Sequence, residues 1–356
     1  MRILFSTCSA AGYMAPPRLA DEQIVCGPDW LDADIGGYVT ARNTPVGEYD
    51  LAAIAARLPA DQQPEAVVCL VDASWRSVPR NLQAFRCPKV LLVADTHHLN
   101  APLAGMIRYA QSERFDRVVL LYDRHHWDFF AAAGVKPLYW FPGLTFPHDD
   151  RTVASARPAA ARESRIAFVG QTGICHPRRI QLLSQLNAQN LPLQVRAVSQ
   201  REGLGFYGSS TVGFNSSLNG DLNLRVFEIM ASGAMLLTDA LAPASGLTDV
   251  WQPGRELVTY ASAAELVEKA RHAIAQPAEA AAIGAGGARW FDENFSAARR
   301  QAAFERLVSD GQAPAMFAQP GPAADAPRPA VIAPRLVSGY EYVQELHRNL
   351  DRVTVQ

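Results

Sequence analysis

The sequence has few cysteines, few charged residues and no long apolar run. Its five cysteines are spread over 356 residues and form no CxxC pair, which excludes a disulfide framework and argues against a zinc site. The 33 Lys and Arg against 35 Asp and Glu give no overall positive charge for binding nucleic acid. No stretch reaches the roughly 20 apolar residues of a membrane helix, and the N-terminal MRILFSTCSA has one basic residue and too short an apolar run for a signal peptide. The composition therefore predicts a soluble, cytoplasmic protein.

The order of the apolar runs predicts two α/β domains. A chain of 356 residues is too long for one ordinary core. Short, nearly continuous apolar runs alternate with helical patterns, which is typical of parallel strands covered on both faces. The predicted strands of the first half are Arg2–Cys8, Ala66–Asp72, Lys89–Asp95, Arg117–Tyr122 and Leu138–Phe141. Those of the second half are Arg165–Gly170, Leu193–Val198, Thr211–Asn215, Ala234–Thr238 and Leu257–Tyr260.

We therefore expect two Rossmann-like domains, at residues 1–148 and 164–308. The polar, Ala-rich stretch 149–163 is predicted to be a linker. Residues 309–356 combine a Pro- and Ala-rich segment with helical spacing in Tyr340–Leu350. The other predicted helices are Asn81–Phe85, Trp127–Ala133, Arg178–Leu186, Leu224–Ser232 and Ala263–Ala275.

The segment Asn215–Asp239, NSSLNGDLNLRVFEIMASGAMLLTD, is the most informative part of the sequence. A strand ends at Asn215, the turn-forming residues Ser216–Asn223 follow, and a helix begins at Leu224. A polar loop at the carboxyl end of a strand, leading into a helix, is where doubly wound folds bind ligands. The free N–H groups and dipole of the helix favour an anion such as a diphosphate.

Glu228 lies one turn into that helix, and two interpretations of it stay open. Its carboxylate complements the helix dipole, or its two oxygens accept hydrogen bonds from the vicinal hydroxyls of a ribose. Arg225, three residues earlier, either faces phosphate or pairs with Glu228 on the same face of the helix.

The segment NLRVFEIMASGAMLLTD resembles the N-x-R-x-F-E-x-x-x-x-G-x-x-x-x-T-D core of group 1 glycosyltransferases, especially the CgeB-like branch. RIAFVGQTGICHPRRIQLL and PGRELVTYASAAELVEKA resemble flanking family motifs, as does 283–299 with its Gly-rich turn and final Arg. The resemblance implies a GT-B architecture, in which two Rossmann-like domains face each other across a cleft. It also implies a nucleoside-diphosphate sugar as donor substrate, with no further cofactor, and a ribose contact for the aligned Glu228.

One departure from the family concerns stereochemistry. Retaining members often carry another glutamate eight positions before the one aligned with Glu228. In this chain that position is Gly220. Asp221, Asn219 or Asn223 are predicted to contact the transferred sugar instead, although Asp221 also fits a simple turn residue. The full predicted donor-binding set is Gly170, Arg178, Arg179, Asn219, Asp221, Asn223, Leu224, Arg225 and Glu228.

The first domain is expected to bind the acceptor, and Asp95, His97 and His98 directly follow a predicted strand. Each is a candidate base for the acceptor hydroxyl, and Asp72 ranks second. These residues equally suit a surface loop. No metal site is predicted, because the other two adjacent histidines, His125 and His126, have no supporting ligand spacing.

The sequence thus predicts a glycosyltransferase, retaining and metal-independent, with an unidentified acceptor that is a small molecule, glycan, protein or nucleic acid. Two alternatives remain: a GT-B nucleotide-sugar epimerase, and a catalytically silent module that binds a glycan or a partner.

Overall fold

The structure is a computed structural model that describes residues 1–8, 17–30, 33–36, 39–96, 102–157, 162–172, 176–218 and 220–317. These residues form two compact units. Among the described residues, the first consists of Met1–Pro147 together with residues 300–317, and the second is His148–Arg299. Each unit is built on a mostly parallel sheet flanked by helices, which confirms the predicted α/β class. Tyr340–Leu350 lies outside the described residues.

The larger sheet of the first unit has eight strands in the order β10-β9-β8-β6-β1-β2-β4-β3. All neighbours pair in parallel except β3, which runs antiparallel to β4 at the edge. β5 and β7 form a separate two-stranded parallel sheet. The strands of this unit are β1 (Arg2–Ser6), β2 (Glu22–Gly27), β3 (Ala33–Gly36), β4 (Val39–Asn43), β5 (Gly47–Asp50), β6 (Ala66–Val71), β7 (Ser77–Arg80), β8 (Lys89–Val93), β9 (Arg117–Leu120) and β10 (Leu138–Trp140).

The helices of this unit within Met1–Pro147 are α1 (Leu51–Ala55), α2 (Leu103–Glu113) and α3 (Trp127–Ala132). The predicted helix Asn81–Phe85 is only a short 3₁₀ turn over Leu82–Ala84. All six residues of β6 are buried, as expected for a central strand covered on both faces.

The last described helix, α11 (Ala297–Asp310), joins the first unit from Arg300 onward. The guanidinium of Arg300 donates to the carbonyl of Phe146 at 3.3 Å and lies over its ring. Arg117, on β9, donates to the carbonyl of Ser309 at 3.3 Å. The chain therefore returns to the first unit at Arg300, before the predicted boundary at residue 308.

The sheet of the second unit has five parallel strands in the order β12-β11-β13-β14-β15. The first strand of this unit in sequence, β11, thus pairs with β12 on one side and β13 on the other. The strands are β11 (Glu163–Val169), β12 (Leu193–Arg196), β13 (Ser210–Phe214), β14 (Met235–Asp239) and β15 (Val258–Tyr260). The helices are α4 (Asp150–Ala156), α5 (Pro177–Ala188), α6 (Gln200–Gly208), α7 (Leu224–Ser232), α8 (Leu247–Val250), α9 (Ala263–Ala275) and α10 (Pro277–Phe295).

Two groups of helices cover this sheet. α5 and α9 pack together, and α6, α7 and α10 form the other group. Phe168, Phe214 and Leu237 lie on the strands of the core and are fully buried. Burial of such large side chains contributes about 1.5–3 kcal/mol each.

Helix α4 lies within the stretch predicted to be a linker. Asp149 caps it by accepting from the backbone N–H of Thr152 at 2.7 Å. The helix packs against α6 and α7 of the second unit. The alanines of this stretch favour a helix, so the polar composition of the segment does not make it an extended connection.

Two glycine patterns lie inside helices. The predicted Gly-rich turn at 284–287 is part of α10. There a Cβ on Gly284 would come within 2.5 Å of the carbonyl oxygen of Gly233, so glycine allows close packing. Gly203, Gly205 and Gly208 have the GxGxxG spacing, but they lie along α6 rather than at a turn between strand and helix, and so do not form a dinucleotide-binding loop.

Candidate nucleotide site

The strand order of the second unit places a crevice between the carboxyl ends of β11 and β13. In open α/β sheets, ligands bind where the chain winds away in both directions from one strand. Val169–Gly170 and Phe214–Asn215 are the residues at this point. Gly170 has φ of 149°, and a Cβ there would lie 2.5 Å from a guanidinium nitrogen of Arg225. Glycine therefore lets this arginine approach the ends of the strands.

Arg225 joins the two strand ends. Its Nε donates to the carbonyl of Val169 at 2.8 Å, and its Nη1 donates to Oδ1 of Asn215 at 2.9 Å. The guanidinium carbon lies 4.7 Å from the ring centroid of Phe168. No ion pair within 4 Å joins Arg225 to Glu228 in the described chain. Arg225 thus links the ends of β11 and β13 on the two sides of the crevice. Its remaining nitrogen, Nη2, lies beside Gly170.

The loop before α7 is held by two buried carboxylates. Asp221 accepts the backbone N–H of Leu218 at 2.9 Å, and Asp239 accepts that of Ser217 at 3.0 Å. Asp221 is 4% exposed and Asp239 is 1% exposed. Asp221, predicted to contact sugar, therefore has at least one loop-closing role. Asn219, two residues before Asp221, lies outside the described residues.

The N-terminus of α7 opens at this loop. Asn223 is its N-cap, and its side chain accepts the N–H of Arg225 at 3.1 Å. Leu224 is the first residue of the helix and is partly exposed. Gly233 ends the helix with φ of 76°. The cap and the terminator define a nine-residue helix whose positive dipole end faces the loop.

Glu228 lies one turn into α7 and is partly buried. Nε2 of Gln200 donates to its Oε1 at 3.4 Å. Burial raises the pKa of Glu228, while the charge of Arg225 and the bond from Gln200 oppose that rise. The carboxyl group of Glu228 is therefore held in a partly desolvated position on the same helix as Arg225.

The two arginines at the start of α5 have different surroundings. Arg179 is 5% exposed, donates to the carbonyl of Gln171 at 2.8 Å and lies over the ring of Phe168. The side chain of Arg178 is 51% exposed, and its Nη1 lies 3.7 Å from Oδ2 of Asp239. Arg178 is consequently the more accessible cation, and Arg179 packs against the core.

In the first unit, Asp95 follows β8 and has a left-handed backbone with φ of 52°. His97 and His98 lie outside the described residues. The second-rank candidate, Asp72, accepts from Sγ of Cys8 at 2.9 Å and from the N–H of Ser74 at 2.9 Å. Burial and the neighbouring Asp72 raise the pKa of the Cys8 thiol, so this thiol stays protonated.

A buried network that the sequence interpretation did not include lies next to Asp95. Thr96 donates both its N–H, at 3.0 Å, and its hydroxyl, at 2.6 Å, to Oδ2 of Asp123. The Thr96 hydroxyl also meets Nδ1 of His126. Since the single hydroxyl hydrogen goes to the carboxylate, Nδ1 of His126 acts as the donor. The ligand atoms of Asp123, His125 and His126 lie within 4.8 Å of one another, a proximity that sequence spacing did not reveal.

The sequence interpretation also missed Gln200 as a neighbour of Glu228. Ser199 caps α6, and Glu202 completes a capping box with it. That S-x-x-E pattern identifies the start of the helix in the sequence, but not which side chain Gln200 meets.

Residues 158–306 match the family model described as Glycosyl transferase-like, which is less than half of the chain. No curated protein matches the sequence. Among solved structures, sucrose-phosphate synthase from Thermosynechococcus elongatus is 11% identical, covering 86% of this chain and 98% of that one, with a TM-score of 0.56. HepE from Anabaena, in complex with UDP-glucose, is 12% identical over 87% and 99% of the two chains, with a TM-score of 0.55.

A TarM structure from S. aureus is 10% identical, with a TM-score of 0.49; the match covers 68% of this chain and 55% of that one, so this chain spans about half of its length. The longer matches, together with the two mostly parallel main sheets, establish that the chain has the GT-B glycosyltransferase fold. In the described part of the chain, no helix has both the length and the apolar character to cross a membrane.

Proposed function

We propose that this protein is a glycosyltransferase that moves a sugar from a nucleoside-diphosphate sugar to an acceptor. The observation that carries the proposal is the position of Glu228, a partly buried carboxylate one turn into α7 beside the crevice of β11 and β13. A carboxylate accepts two hydroxyl donors at once, which suits the vicinal diol of a ribose. The match of residues 158–306 to a glycosyltransferase-like family supports it.

The diphosphate is proposed to lie at the N-terminus of α7. Backbone N–H groups and the helix dipole stabilise negative charge there. The exposed guanidinium of Arg178, near the end of β14, and the Nη2 of Arg225, near the end of β11, supply positive charge at the carboxyl edge of the sheet. Such fixed positive groups stabilise the diphosphate as it leaves, and the proposed reaction is therefore metal-independent.

The acceptor is proposed to bind the first unit near Asp95, with Asp95, His97 or His98 as the base. A retaining outcome and a CgeB-like affiliation are part of the proposal, supported by the sequence resemblance around Glu228. The cysteines support a cytoplasmic location, because the four described ones are free thiols at separate positions: Cys8, Cys26, Cys69 and Cys87.

A thermal-shift screen against UDP, GDP, ADP and their glucose conjugates tests the donor site. A nucleotide at 100 times its dissociation constant stabilises the protein by about 2.7 kcal/mol. Glu228→Ala should remove this stabilisation, whereas Glu268→Ala, at an exposed position of α9, should keep it. Stabilisation that survives unchanged in Glu228→Ala would contradict the site.

Product analysis then separates the enzyme classes. Incubation of the protein with the stabilising nucleotide sugar should release free nucleoside diphosphate and free or transferred sugar. A changed sugar that stays on the nucleotide would identify an epimerase instead, and binding without turnover would identify a silent module. Proton NMR of the first product reports whether the anomeric configuration is retained.

A further inference from the structure

Polar side chains follow two neighbouring strands of the first unit at equivalent positions. β8 and β9 pair in parallel, with Val93 opposite Leu120 at their ends. Thr96 comes three residues after the end of β8, and Asp123 comes three residues after the end of β9. A short 3₁₀ turn, Arg124–His126, follows Asp123 directly. Because adjacent parallel strands end at the same edge of a sheet, Thr96, Asp123 and the histidines of the turn lie together.

The two histidines of this turn, His125 and His126, converge on Asp123. Their ring centroids are 4.2 Å apart, although successive residues of an α-helix point in different directions. One ligand atom from each of the three residues lies within 4.8 Å of the other two. In a tetrahedral zinc site the ligand atoms lie about 2 Å from the ion and about 3.3 Å from one another. Side-chain rotations that bring these atoms closer by about 1.5 Å are therefore enough to surround one ion.

Thr96 determines the orientation of the His126 ring. Nδ1 of His126 donates to the Thr96 hydroxyl, which itself donates to Oδ2 of Asp123. The hydrogen on Nδ1 leaves a lone pair on Nε2, and this neutral form of imidazole is the one that binds a metal ion. Metal-binding histidines are commonly held by such a hydrogen bond from their other nitrogen. The carboxylate of Asp123 can keep both bonds from Thr96 on Oδ2 and coordinate through Oδ1.

We propose that Asp123, His125 and His126 bind one Zn²⁺ ion, which fixes the carboxyl ends of β8 and β9 next to Asp95. Two imidazole nitrogens and a carboxylate oxygen are a donor set typical of zinc, whereas Mg²⁺ and Ca²⁺ take oxygen ligands. Asp123 and His126 are buried, and His125 is partly exposed, so the ion enters past His125 and a fourth position is left for water. The site belongs to the first unit and the nucleotide site to the second, so this inference does not depend on the proposed transfer reaction.

Calorimetric titration of the tag-free, reduced, chelator-treated protein with ZnCl₂ tests the site, after circular dichroism has established that each variant is folded. The wild type should bind one equivalent of Zn²⁺, and excess MgCl₂ should not compete. His125→Gln, at the partly exposed ligand, should weaken zinc binding at least about 100-fold. Thr96→Val should weaken it about 10- to 100-fold, while Thr96→Ser keeps the hydroxyl and should bind as the wild type does. His272→Gln is the control, because this exposed histidine lies 2.8 Å from Glu279 on the surface of the second unit, and it should leave the affinity unchanged.

Four results would overturn the zinc site. They are a folded wild type that does not bind Zn²⁺, binding that MgCl₂ displaces, binding that His125→Gln leaves unchanged, and binding that is lost in His272→Gln. The last result would assign the ion to the surface pair of His272 and Glu279 instead. Equal affinities of Thr96→Val and Thr96→Ser would show that the hydroxyl does not orient His126, and would overturn that part of the proposal.

Discussion

Replacing Glu228 by glutamine should stabilise the protein and weaken nucleotide binding at the same time. Burial raises the pKa of Glu228, so between the ordinary glutamate pKa and this raised pKa the folded state holds a proton that the unfolded state releases. The stability of the wild type therefore falls as pH rises from the ordinary glutamate value through the raised pKa. Glutamine has the same shape and no charge, and it removes this pH-dependent loss.

Two neighbouring side chains keep their hydrogen bonds in Glu228→Gln, so the substitution should cause little destabilisation of its own. Arg225 keeps its bonds to Val169 and Asn215, so it is not left unpaired when the neighbouring charge is lost. Nε2 of Gln200 can still donate to the new amide oxygen. We expect a gain of about 0.5–2 kcal/mol in the free energy of unfolding above the raised pKa, in the range of mutations that relieve functional sites. Loss of a charged hydrogen bond, about 1.5–3 kcal/mol, weakens nucleotide binding about 10- to 150-fold.

Urea unfolding at pH 5 and pH 8 measures the first effect, and calorimetric titration with the best nucleotide of the thermal-shift screen measures the second. The stability difference between variant and wild type should be larger at pH 8 than at pH 5. Glu268→Gln, on the exposed side of α9, should match the wild type in both assays. A Glu228→Gln protein that is less stable than the wild type at pH 8, or that binds nucleotide as tightly, would refute the reasoning.

Three further predictions concern positions described above. Gly208→Ala should destabilise the protein by about 1–3 kcal/mol, because the new Cβ would lie 1.8 Å from the carbonyl oxygen of Ala156, at the end of α4. Gly205→Ala, in the same helix, is the control. Its new Cβ meets no atom within 4 Å, so this variant should be neutral or more stable by up to about 1 kcal/mol. Thermal unfolding compares the two variants, and an equal fall in melting temperature in both would contradict the close contact of Gly208 with Ala156. Arg225→Ala should cost about 1–3 kcal/mol, because it removes the guanidinium that donates to both strand ends and leaves Oδ1 of Asn215 without that donor. Urea unfolding that matches the wild type would contradict its bridging role. Thr96→Val should lower stability by a similar amount, about 1–3 kcal/mol, because the buried carboxylate of Asp123 loses a hydroxyl donor; an unchanged denaturation midpoint would contradict that network.

The sheet of the second unit was predictable because its strands are short apolar runs. All five of its strands fall within or overlap the predicted segments, as β13 and β14 do at Ser210–Phe214 and Met235–Asp239. The first unit was harder, since β2 and β4 were not anticipated. Val39–Asn43 has a polar, alternating sequence, and its place in the sheet depends on pairing with β2, which is a long-range interaction that local patterns do not encode.

The candidate site, too, could be predicted only in part from the sequence. The helix containing Glu228 follows from its periodicity, its cap Asn223 and its terminator Gly233. The hydrogen-bond partners of Arg225 cannot be predicted from the local sequence, because the carbonyl of Val169 to which it donates lies 56 residues earlier in the chain. The contact of Gln200 with Glu228 likewise depends on the packing of α6 against α7. Local chemistry can thus be anticipated from sequence, whereas the partners of each polar group require the fold.

The return of the chain at Arg300 makes the first unit discontinuous in sequence. During synthesis, residues 1–147 are exposed on the ribosome before the segment that completes their packing has been made, while the second unit is contiguous and can fold as it emerges. A fragment that ends at residue 299 would leave the backbone carbonyl of Phe146 without the guanidinium of Arg300. A fragment of residues 148–299 would contain the whole contiguous unit, whereas any fragment meant to represent the first unit needs both Met1–Pro147 and the segment that begins at Arg300.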